Sequence, residues 1–502
     1  MINQELQSPG RKRATILLAL GGYANTAITI VQGILLVPLY LHFIGSSTYG
    51  YWLASGGMLG MLLMMNFGIG TLLIQRVAHA YGQKDFAMVG AYFVNGMFVY
   101  SCTCLLYGII GWSISLWLPD ILSLTDNDAE LLRHCFQIAV LATTIGIFNE
   151  CLRSFSQAML RPVIPMLGLA IGRILGIVVT IWMLFDDFGL WSIPVGLLVA
   201  EGVILILNIM YVLSLFRIIP TRVELESGLI KEYLKSSPAL LMAKSGNALS
   251  QESEPLLITM YINAEATTAY MIARKAADMV FLLASVLNGS ILSSVSHLAG
   301  EADAKKMNKI VANLLFVSFA ISLIGFSAYA AANNTFLSLW VGEDYVFDQF
   351  LIIVIGIGFC ARAVRGMAWQ ILYSIGDFTY TSLVVLGEGI CKISLALILL
   401  GFLGVAAVPY ALALTGFVSF IALVLRLKKL LSFEMKKITI FKLVSSVFVC
   451  GFISWLFNSP ISWIAFVGNS LLLVIVLALA VFLINRQLCM TCIDKVFHGK
   501  FS

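Results

Sequence analysis

The sequence predicts an all-α polytopic membrane protein with about fourteen transmembrane helices. Three observations support this fold class: the composition, the recurrence of long apolar segments, and the alternation of charge between the loops. Hydrophobic residues make up 60% of the 502 residues, charged residues only 11%, and the mean hydropathy is +0.96. Soluble domains contain fewer apolar and more charged residues. The chain is therefore expected to be embedded in a membrane.

Apolar segments of roughly 20 residues, the length that crosses the hydrocarbon core, recur along the whole chain. The first one follows Arg11, Lys12 and Arg13 like a signal peptide, but it is too long and lacks a small-residue cleavage site. We expect it to be retained as a helix. The predicted spans are residues 14–42, 49–75, 88–118, 131–158, 164–185, 190–216, 236–262, 268–296, 309–333, 347–372, 379–401, 404–425, 441–457 and 461–485.

The loops between these spans fall into two alternating sets. Lys and Arg near short loops hold those loops on the cytoplasmic side. One set carries Arg76, Lys84, Arg161, Arg217, Arg222, Lys231, Lys235, Lys305, Lys306, Arg426, Lys428, Lys429, Lys436 and Lys437. The other set carries acids and no Lys or Arg. Both termini are therefore predicted to be cytoplasmic, and the net charge of +5 reflects topology rather than a nucleic-acid partner.

An internal repeat indicates two halves of similar structure. The segment 39–52 aligns without gaps to 260–273, pairing Tyr40 with Tyr261 and Tyr49 with Tyr270 at an offset of 221 (261 − 40). Six predicted spans separate the copies, so the halves have the same orientation, as in transporters with parallel repeats.

The repeat divides the chain into two pseudo-symmetric six-helix bundles and two extra C-terminal helices. The predicted regions are a cytoplasmic N-terminal tail (1–13), an N-terminal six-helix bundle (14–216), a cytoplasmic linker (217–235), a C-terminal six-helix bundle (236–425), a second cytoplasmic linker (426–440), transmembrane helices 13 and 14 (441–485) and a cytoplasmic tail (486–502).

Two segments resemble a known family of membrane proteins. "LVPLYLHFIGSSTYGYW" followed by "MNFGIGTLLIQRVAHAYGQKD", and the later "YINAEATTAYMIARKAADMVFLLASVLNGSILSSVSHLAGEADAKK", are similar to Wzx-type polysaccharide flippases of the multidrug, oligosaccharidyl-lipid and polysaccharide exporter superfamily. The resemblance implies two bundles around a central cavity that opens to one side of the membrane at a time. It also implies a polyprenyl-pyrophosphate-linked oligosaccharide as cargo, an O-antigen or other surface polysaccharide unit, in a bacterial inner membrane.

Charged residues inside the predicted spans provide the candidate site. A mid-helix Arg, Lys or Asp costs roughly 2.5 to 3.5 kcal/mol, so such residues need a partner or a water-filled cavity. The predicted cavity residues are the bases Arg173, Lys244, Arg274, Lys275, Arg362, Arg365 and Lys392, and the acids Glu150, Glu201, Glu252, Glu254, Asp278 and Glu388, which are candidates for ion coupling. Arg362, Arg365, Glu150 and Arg153 lie near helix ends, where snorkelling to the membrane surface is an alternative.

The repeat provides a control for these charges. At the offset of 221, the counterparts of Lys244, Glu252, Glu254, Arg274, Lys275 and Asp278 are all uncharged. The fold itself therefore does not require the charges, which favours a role in the cavity. The alternative is a structural ion pair, for which Glu388 and Lys392 have suitable i, i+4 spacing.

Arg274, Lys275 and Asp278 share one arc of a helix and are expected to form its hydrated face. Ala276, Ala277, Val280 and Ala284 lie on the opposite, packed face. Asp278 is one turn from Arg274 and is predicted to hold it inward; outward snorkelling of Arg274 is the alternative. Elsewhere, Gly168, Gly172 and Gly176 form consecutive GxxxG steps, for which close helix packing is the main interpretation.

The leading functional hypothesis is a flippase driven by a proton or sodium gradient, because a basic chamber suits pyrophosphate. No cofactor is predicted, since no nucleotide-binding GxxxxGK[ST] motif is present and Cys489 and Cys492 form a lone CxxC. A polysaccharide polymerase and chain-length machinery are further candidate partners. The alternatives are a cation-coupled multidrug antiporter, a lipid II flippase, and an enzyme such as a polysaccharide polymerase or ligase.

Overall fold

The computed structural model describes residues 11–66, 68–124, 126–216, 225–235, 237–290, 304–431, 437–457, 462–486 and 490. The secondary structure in these ranges is helical, which confirms the predicted fold class. The contacts divide the chain into two units, Met1–Thr268 and Ala269–Ser502. The predicted linker between the two bundles, residues 217–235, does not coincide with this division after Thr268. The bundle boundaries therefore remain predictions. Cys489 and Cys492 lie outside the described residues.

The first unit contains the helices of the first six predicted spans and of the seventh. Its helices are α1 (Arg11–Phe43), α2 (Ser46–Leu62), α3 (Ile69–Gly82), α4 (Phe86–Ile121), α5 (Asp126–Ala158), α6 (Val163–Phe185), α7 (Ser192–Phe216), α8 (Ser227–Lys235) and α9 (Ser237–Tyr261), with α10 (Ala264–Ala273) crossing the division. The second predicted span is thus two helices, separated by a 3₁₀ turn at Leu63–Asn66 and by Gly68 in the left-handed conformation (φ 69°).

The helices of the first unit pack in two ways, through large aromatic side chains and through glycines. Phe93 of α4 and Phe155 of α5 are fully buried, with ring centroids 4.1 Å apart. Helices α6 and α7 instead approach through glycine. A Cβ on Gly172 would lie 2.7 Å from the carbonyl oxygen of Ala200, and one on Gly176 would lie 2.7 Å from that of Gly196. This confirms the packing interpretation of the GxxxG steps.

The second unit contains the remaining helices, which pack pairwise. They are α11 (Lys275–Ser290), α12 (Ala304–Trp340), α13 (Gln349–Ser374), α14 (Phe378–Leu403), α15 (Ala407–Leu431), α16 (Lys437–Leu456) and α17 (Trp463–Ile484). The two extra C-terminal helices pack on α12: Cys450, Leu473 and Leu477 are buried against Leu323, and the Ser454 hydroxyl donates to the carbonyl of Ser327 at 3.0 Å.

Ten stretches within the described residues are long and apolar enough to cross a membrane. One of them, Phe378–Leu431, contains both α14 and α15. Helices α9, α10 and α11 do not reach this criterion, and they are the helices that carry the Lys244 to Asp278 charges.

The structure corrects the register of the internal repeat by three residues. The turn after α1 is closed by the Ile44 N–H donating to Tyr40 O, and the turn after α9 by the Ile262 N–H donating to Ile258 O, an offset of 218 (262 − 44). A three-residue shift rotates a helix by about 300°, so side-chain patterns match nearly as well in either register. Arg274, Lys275 and Asp278 then correspond to Gly56, Gly57 and Gly60, which are also uncharged.

Candidate functional site

A break in a helix lies at the centre of the candidate site. Helix α10 ends at Ala273 and α11 begins at Lys275, so Arg274 occupies the junction. The break is local, because the Arg274 N–H still donates to Tyr270 O at 3.0 Å and the Asp278 N–H donates to Arg274 O at 2.9 Å. The carbonyl oxygen of Ala273 accepts hydrogen bonds from the Tyr329 hydroxyl at 3.1 Å and from the Asn333 amide at 3.0 Å. Side chains that insert into a helix ladder in this way interrupt it without Pro or Gly. Both donors come from α12, which therefore fixes the position of the break.

Arg274 is held at this break by a bidentate ion pair. Its Nη2 lies 2.8 Å from Asp278 Oδ1 and its Nε lies 3.2 Å from Asp278 Oδ2. The predicted i, i+4 pair is thus present and holds the arginine inward. Arg274 is only 5% exposed, so the expectation that it lies on a hydrated face is wrong, whereas the Asp278 side chain is 30% exposed. Of the predicted packed face, Ala277 and Ala284 are buried as expected, whereas Ala276 and Val280 are only half-buried.

Two aromatic rings line the basic cluster. The Arg274 guanidinium lies 5.1 Å from the ring centroid of Phe359, and the Arg362 guanidinium lies 4.3 Å from that of Phe281 and 5.9 Å from that of Phe359. Cation–π contacts stabilise desolvated guanidinium groups by about 2 kcal/mol. Arg362 is 3% exposed, so it is buried in protein rather than snorkelling. The break thus gathers two arginines around one pair of phenylalanines.

A second ionic cluster lies one turn further along α13. Arg365 Nε is 3.1 Å from Glu388 Oε2 of α14, and the Ser419 hydroxyl of α15 donates to the same carboxylate oxygen at 2.6 Å. Lys392, one turn from Glu388, is only 1% exposed. Arg365 is also buried, which excludes snorkelling for this residue as well. Glu388 therefore joins α13, α14 and α15.

In the first unit, two of the predicted charges make polar contacts between helices. The Asn149 amide donates to Glu201 Oε2 at 2.8 Å and to the Glu201 carbonyl at 3.0 Å, joining α5 to α7. Arg173 Nη1 donates to Thr29 Oγ1 at 2.7 Å and to the Asn25 carbonyl at 3.1 Å, joining α6 to α1. These contacts show what holds the charged side chains, and the cavity role of Glu201 and Arg173 stays a prediction.

The remaining predicted charges lie on α5 and α9. Glu150 lines a cavity of about 300 Å³ beside α3 and α6. Glu254 is 1% exposed, whereas Glu252 and Lys244 are half-buried. A Cβ on Gly60 of α2 would lie 2.6 Å from Glu252 Oε2, so this glycine leaves room for the carboxylate. Helix α9 thus packs against α2 with an acidic residue in the contact.

The structure thus brings together only part of the predicted set. Arg274, Lys275, Asp278 and Arg362 gather at the helix break, and Arg365, Glu388 and Lys392 gather one turn away. Sequence reasoning missed the neutral partners Tyr329, Asn333, Phe281 and Phe359, because only charged residues were considered. Phe281 lies seven residues after Arg274 and therefore on the same helix face, which is the signal that was available for it.

Comparisons with known proteins agree with this fold. Residues 53–182 match the MatE family model. The fold resembles an inward-facing multidrug resistance MATE family transporter of the MOP superfamily, with TM-score 0.68 and 13% identity over 82% of this chain and 98% of that chain. It also resembles the lipid II flippase MurJ in an inward closed conformation, with TM-score 0.69 and 13% identity over 94% of this chain and 100% of that chain.

An outward-facing MATE family transporter of the same superfamily gives TM-score 0.63 at 14% identity, over 85% of this chain and 97% of that chain. No curated protein matches the sequence. The helices define the chain as a multi-pass membrane protein. More particularly, its fold is like that of the MATE family transporters and of MurJ, and residues 53–182 match the MatE family model.

Proposed function

We propose that the protein is a flippase that moves a polyprenyl-pyrophosphate-linked oligosaccharide from the cytoplasmic to the outer leaflet of a bacterial inner membrane. The observation that supports this most is the arginine cluster at the helix break. Arg274 and Arg362 present two permanently charged guanidinium groups beside Phe281 and Phe359. The guanidinium fork matches the oxygen atoms of a phosphate and can bind two of them at once.

Asp278 provides a means of releasing such a cargo. In the structure its carboxylate occupies the donors of Arg274 in bidentate fashion. A phosphate that reaches the cluster competes for the same donors, and Asp278 takes them back when the cargo leaves. Arg274 therefore never remains as an uncompensated buried charge, which would cost several kcal/mol.

Coupling to a proton or sodium gradient is assigned to acids inside the predicted spans. Glu254, Glu252, Asp278 and Glu388 are the candidate sites, with Glu201 and Glu150 as further cavity acids. Lys244, Lys275, Arg173, Arg365 and Lys392 complete the proposed basic lining. Both termini are proposed to be cytoplasmic, which agrees with the positive-inside distribution of Lys and Arg.

The experiment compares Arg274→Ala, Arg274→Lys and Arg426→Ala in a deletion strain, with surface polysaccharide measured at equal protein level. Arg426 is the matched control, because it also makes a bidentate ion pair, with Asp377, and lies 4.8 Å from the ring of Tyr380. We expect Arg274→Ala to abolish export, Arg274→Lys to restore it partly, and Arg426→Ala to export normally. Normal export by Arg274→Ala would overturn the proposal.

A lipid II flippase is the second candidate, because the MurJ structure matches over 94% of this chain. Both cargoes would use the same phosphate contacts, so variants of these residues do not distinguish the two candidates. Complementation distinguishes them. Rescue of a strain depleted of its lipid II flippase would favour a lipid II flippase, whereas rescue of surface polysaccharide alone would favour the oligosaccharide flippase. A multidrug antiporter is the third candidate, because the fold resembles those of MATE family transporters. If the protein has this function, its deletion should lower drug resistance and leave surface polysaccharide normal.

A further inference from the structure

The first unit holds a cavity with polar groups in a largely apolar wall, separate from the arginine cluster at the helix break. It has a volume of about 300 Å³ and lies between α3, α5 and the start of α6. Its polar lining consists of Thr71, Glu150, Arg153, Ser154 and Gln157. The volume is at the lower end of the range for small-molecule sites. A cavity of this kind, within a helix bundle, suits a compact polar group.

Arg153 is the cation of this cavity. Its side chain is half-buried and lines the cavity wall. An arginine cannot lose its proton, so this positive charge is permanent. The Nε atom is closed to solvent and has no acceptor among the described residues, so a ligand would be bound by the other atoms of the guanidinium. The permanent charge favours an anion in the cavity.

The neighbouring groups narrow the class of anion. The hydroxyl groups of Thr71 and Ser154 and the amide of Gln157 line the same cavity, so several neutral donors surround one permanent cation. Phosphate oxygens accept from guanidinium, hydroxyl and amide groups together. We propose that this cavity is a phosphate-binding subsite, separate from the arginine cluster at the helix break. That the phosphate belongs to a lipid-linked cargo rests on the proposed function. That the cavity binds phosphate does not depend on it.

Glu150 is expected to weaken phosphate binding in this subsite, so that the phosphate is bound only transiently. Its carboxylate lies one turn before Arg153 and reaches towards Gly70, where a Cβ would lie 3.1 Å from Oε1. A carboxylate beside a phosphate repels it and weakens its binding. The cavity also lies close to the end of α5, five residues from Ala158 to Arg153, near the loop predicted to be cytoplasmic. A headgroup would thus be received here from the cytoplasmic side.

The test measures binding of inorganic pyrophosphate to the purified full-length protein in zwitterionic nanodiscs. All variants carry Arg274→Ala, which removes pyrophosphate binding by this residue at the helix break. The measured affinity then reports on the cavity alone, whether or not the proposed function is correct. We expect Arg153→Gln to weaken binding about tenfold or more, and Glu150→Gln to tighten it several-fold. Arg133→Gln is the matched control, because Arg133 lies on the same helix, also has an Nε without a described acceptor, and does not line the cavity.

Equal binding by the parent and Arg153→Gln, or equal loss in Arg133→Gln, would overturn the proposal. Arg153→Lys and the melting temperature of each variant separate lost binding from lost folding, and Lys is expected to retain part of the affinity. A second arm distinguishes the bearer of the phosphate. Competition by polyprenyl pyrophosphate supports a lipid-linked cargo, whereas equal competition by phosphatidylglycerol in the nanodisc would identify an ordinary anionic lipid and overturn that link.

Discussion

Arg365 and Glu388 form a buried ion pair between α13 and α14, with 3.1 Å between Nε and Oε2 and side-chain exposures of 7% and 1%. The Ser419 hydroxyl completes the site from α15 at 2.6 Å. Because both charges are removed from water, their attraction offsets a large desolvation cost only while both are present. The pair is therefore more informative as a double variant than as two single ones.

The first prediction follows from this relationship. Arg365→Met leaves the Glu388 carboxylate buried beside Ser419 and should destabilise the protein by about 3–5 kcal/mol. Adding Glu388→Leu and Lys392→Met removes the remaining charges of this cluster, since Lys392 is buried one turn from Glu388, and should restore most of the thermal stability measured in detergent. If Glu388 also couples transport to an ion gradient, the stable triple variant will still fail to export. Equal melting temperatures for the single variant and the native protein would contradict the prediction.

The second prediction concerns the donors that hold the helix break. Tyr329 and Asn333 both donate to the carbonyl of Ala273. Replacing them together by Phe and Leu leaves that carbonyl without these donors and should favour a continuous helix, which moves Arg274 away from Phe359. We expect export to fall strongly although Arg274 is unchanged. Asn334→Leu is the control: its amide donates to Phe347 O and Gln349 Oε1, away from the break, so export should stay normal.

The sequence was sufficient for those features that depend on local periodicity. The predicted spans coincide with helices or helix pairs, the GxxxG steps pack as expected, and the Arg274–Asp278 pair follows from i, i+4 spacing. Each of these is decided within one or two helical turns, or by a motif that only small residues satisfy.

The sequence was insufficient for features whose geometry depends on residues distant in the chain. The break at Arg274 contains no Pro or Gly, and it depends on two donors that lie 56 and 60 residues later in the chain. The Glu388 carboxylate likewise contacts Arg365 and Ser419, neither of which is its helical neighbour. The repeat was placed three residues out of register because paired tyrosines were aligned instead of the two turns.

The third prediction tests ion coupling at α9. Glu254 is 1% exposed and precedes Pro255, whose ring disturbs the helix. Glu254→Gln keeps the size of the side chain and removes its charge, so we expect near-normal protein abundance but impaired transport that no longer depends on the ion gradient. Glu252→Gln provides the comparison from the same helix. Unchanged transport across pH in Glu254→Gln would make Glu254 a structural residue.

The fourth prediction tests the orientation. A reporter that is active only in the cytoplasm should be active when fused after Lys305 and inactive when fused after Asp187, because Lys and Arg are confined to alternate loops. Asp187 lies between α6 and α7, in a loop with acids and no bases. The reverse pattern would place both termini outside and contradict the assignment of donor and acceptor leaflets.

The fifth prediction compares a glycine at the contact between α6 and α7 with a glycine that lies away from it. A Cβ on Gly172 of α6 would lie 2.5 Å from Ile204 Cγ1 and 2.7 Å from the carbonyl of Ala200, whereas one on Gly202 of α7 would meet no atom within 4 Å. Gly172→Ala should therefore force α6 and α7 apart and cost about 1–3 kcal/mol. Gly202→Ala should be neutral, or stabilise its helix by about 0.5–1 kcal/mol. Melting temperatures in one detergent measure both, and a Gly172→Ala variant as stable as Gly202→Ala would contradict the close approach of α6 and α7.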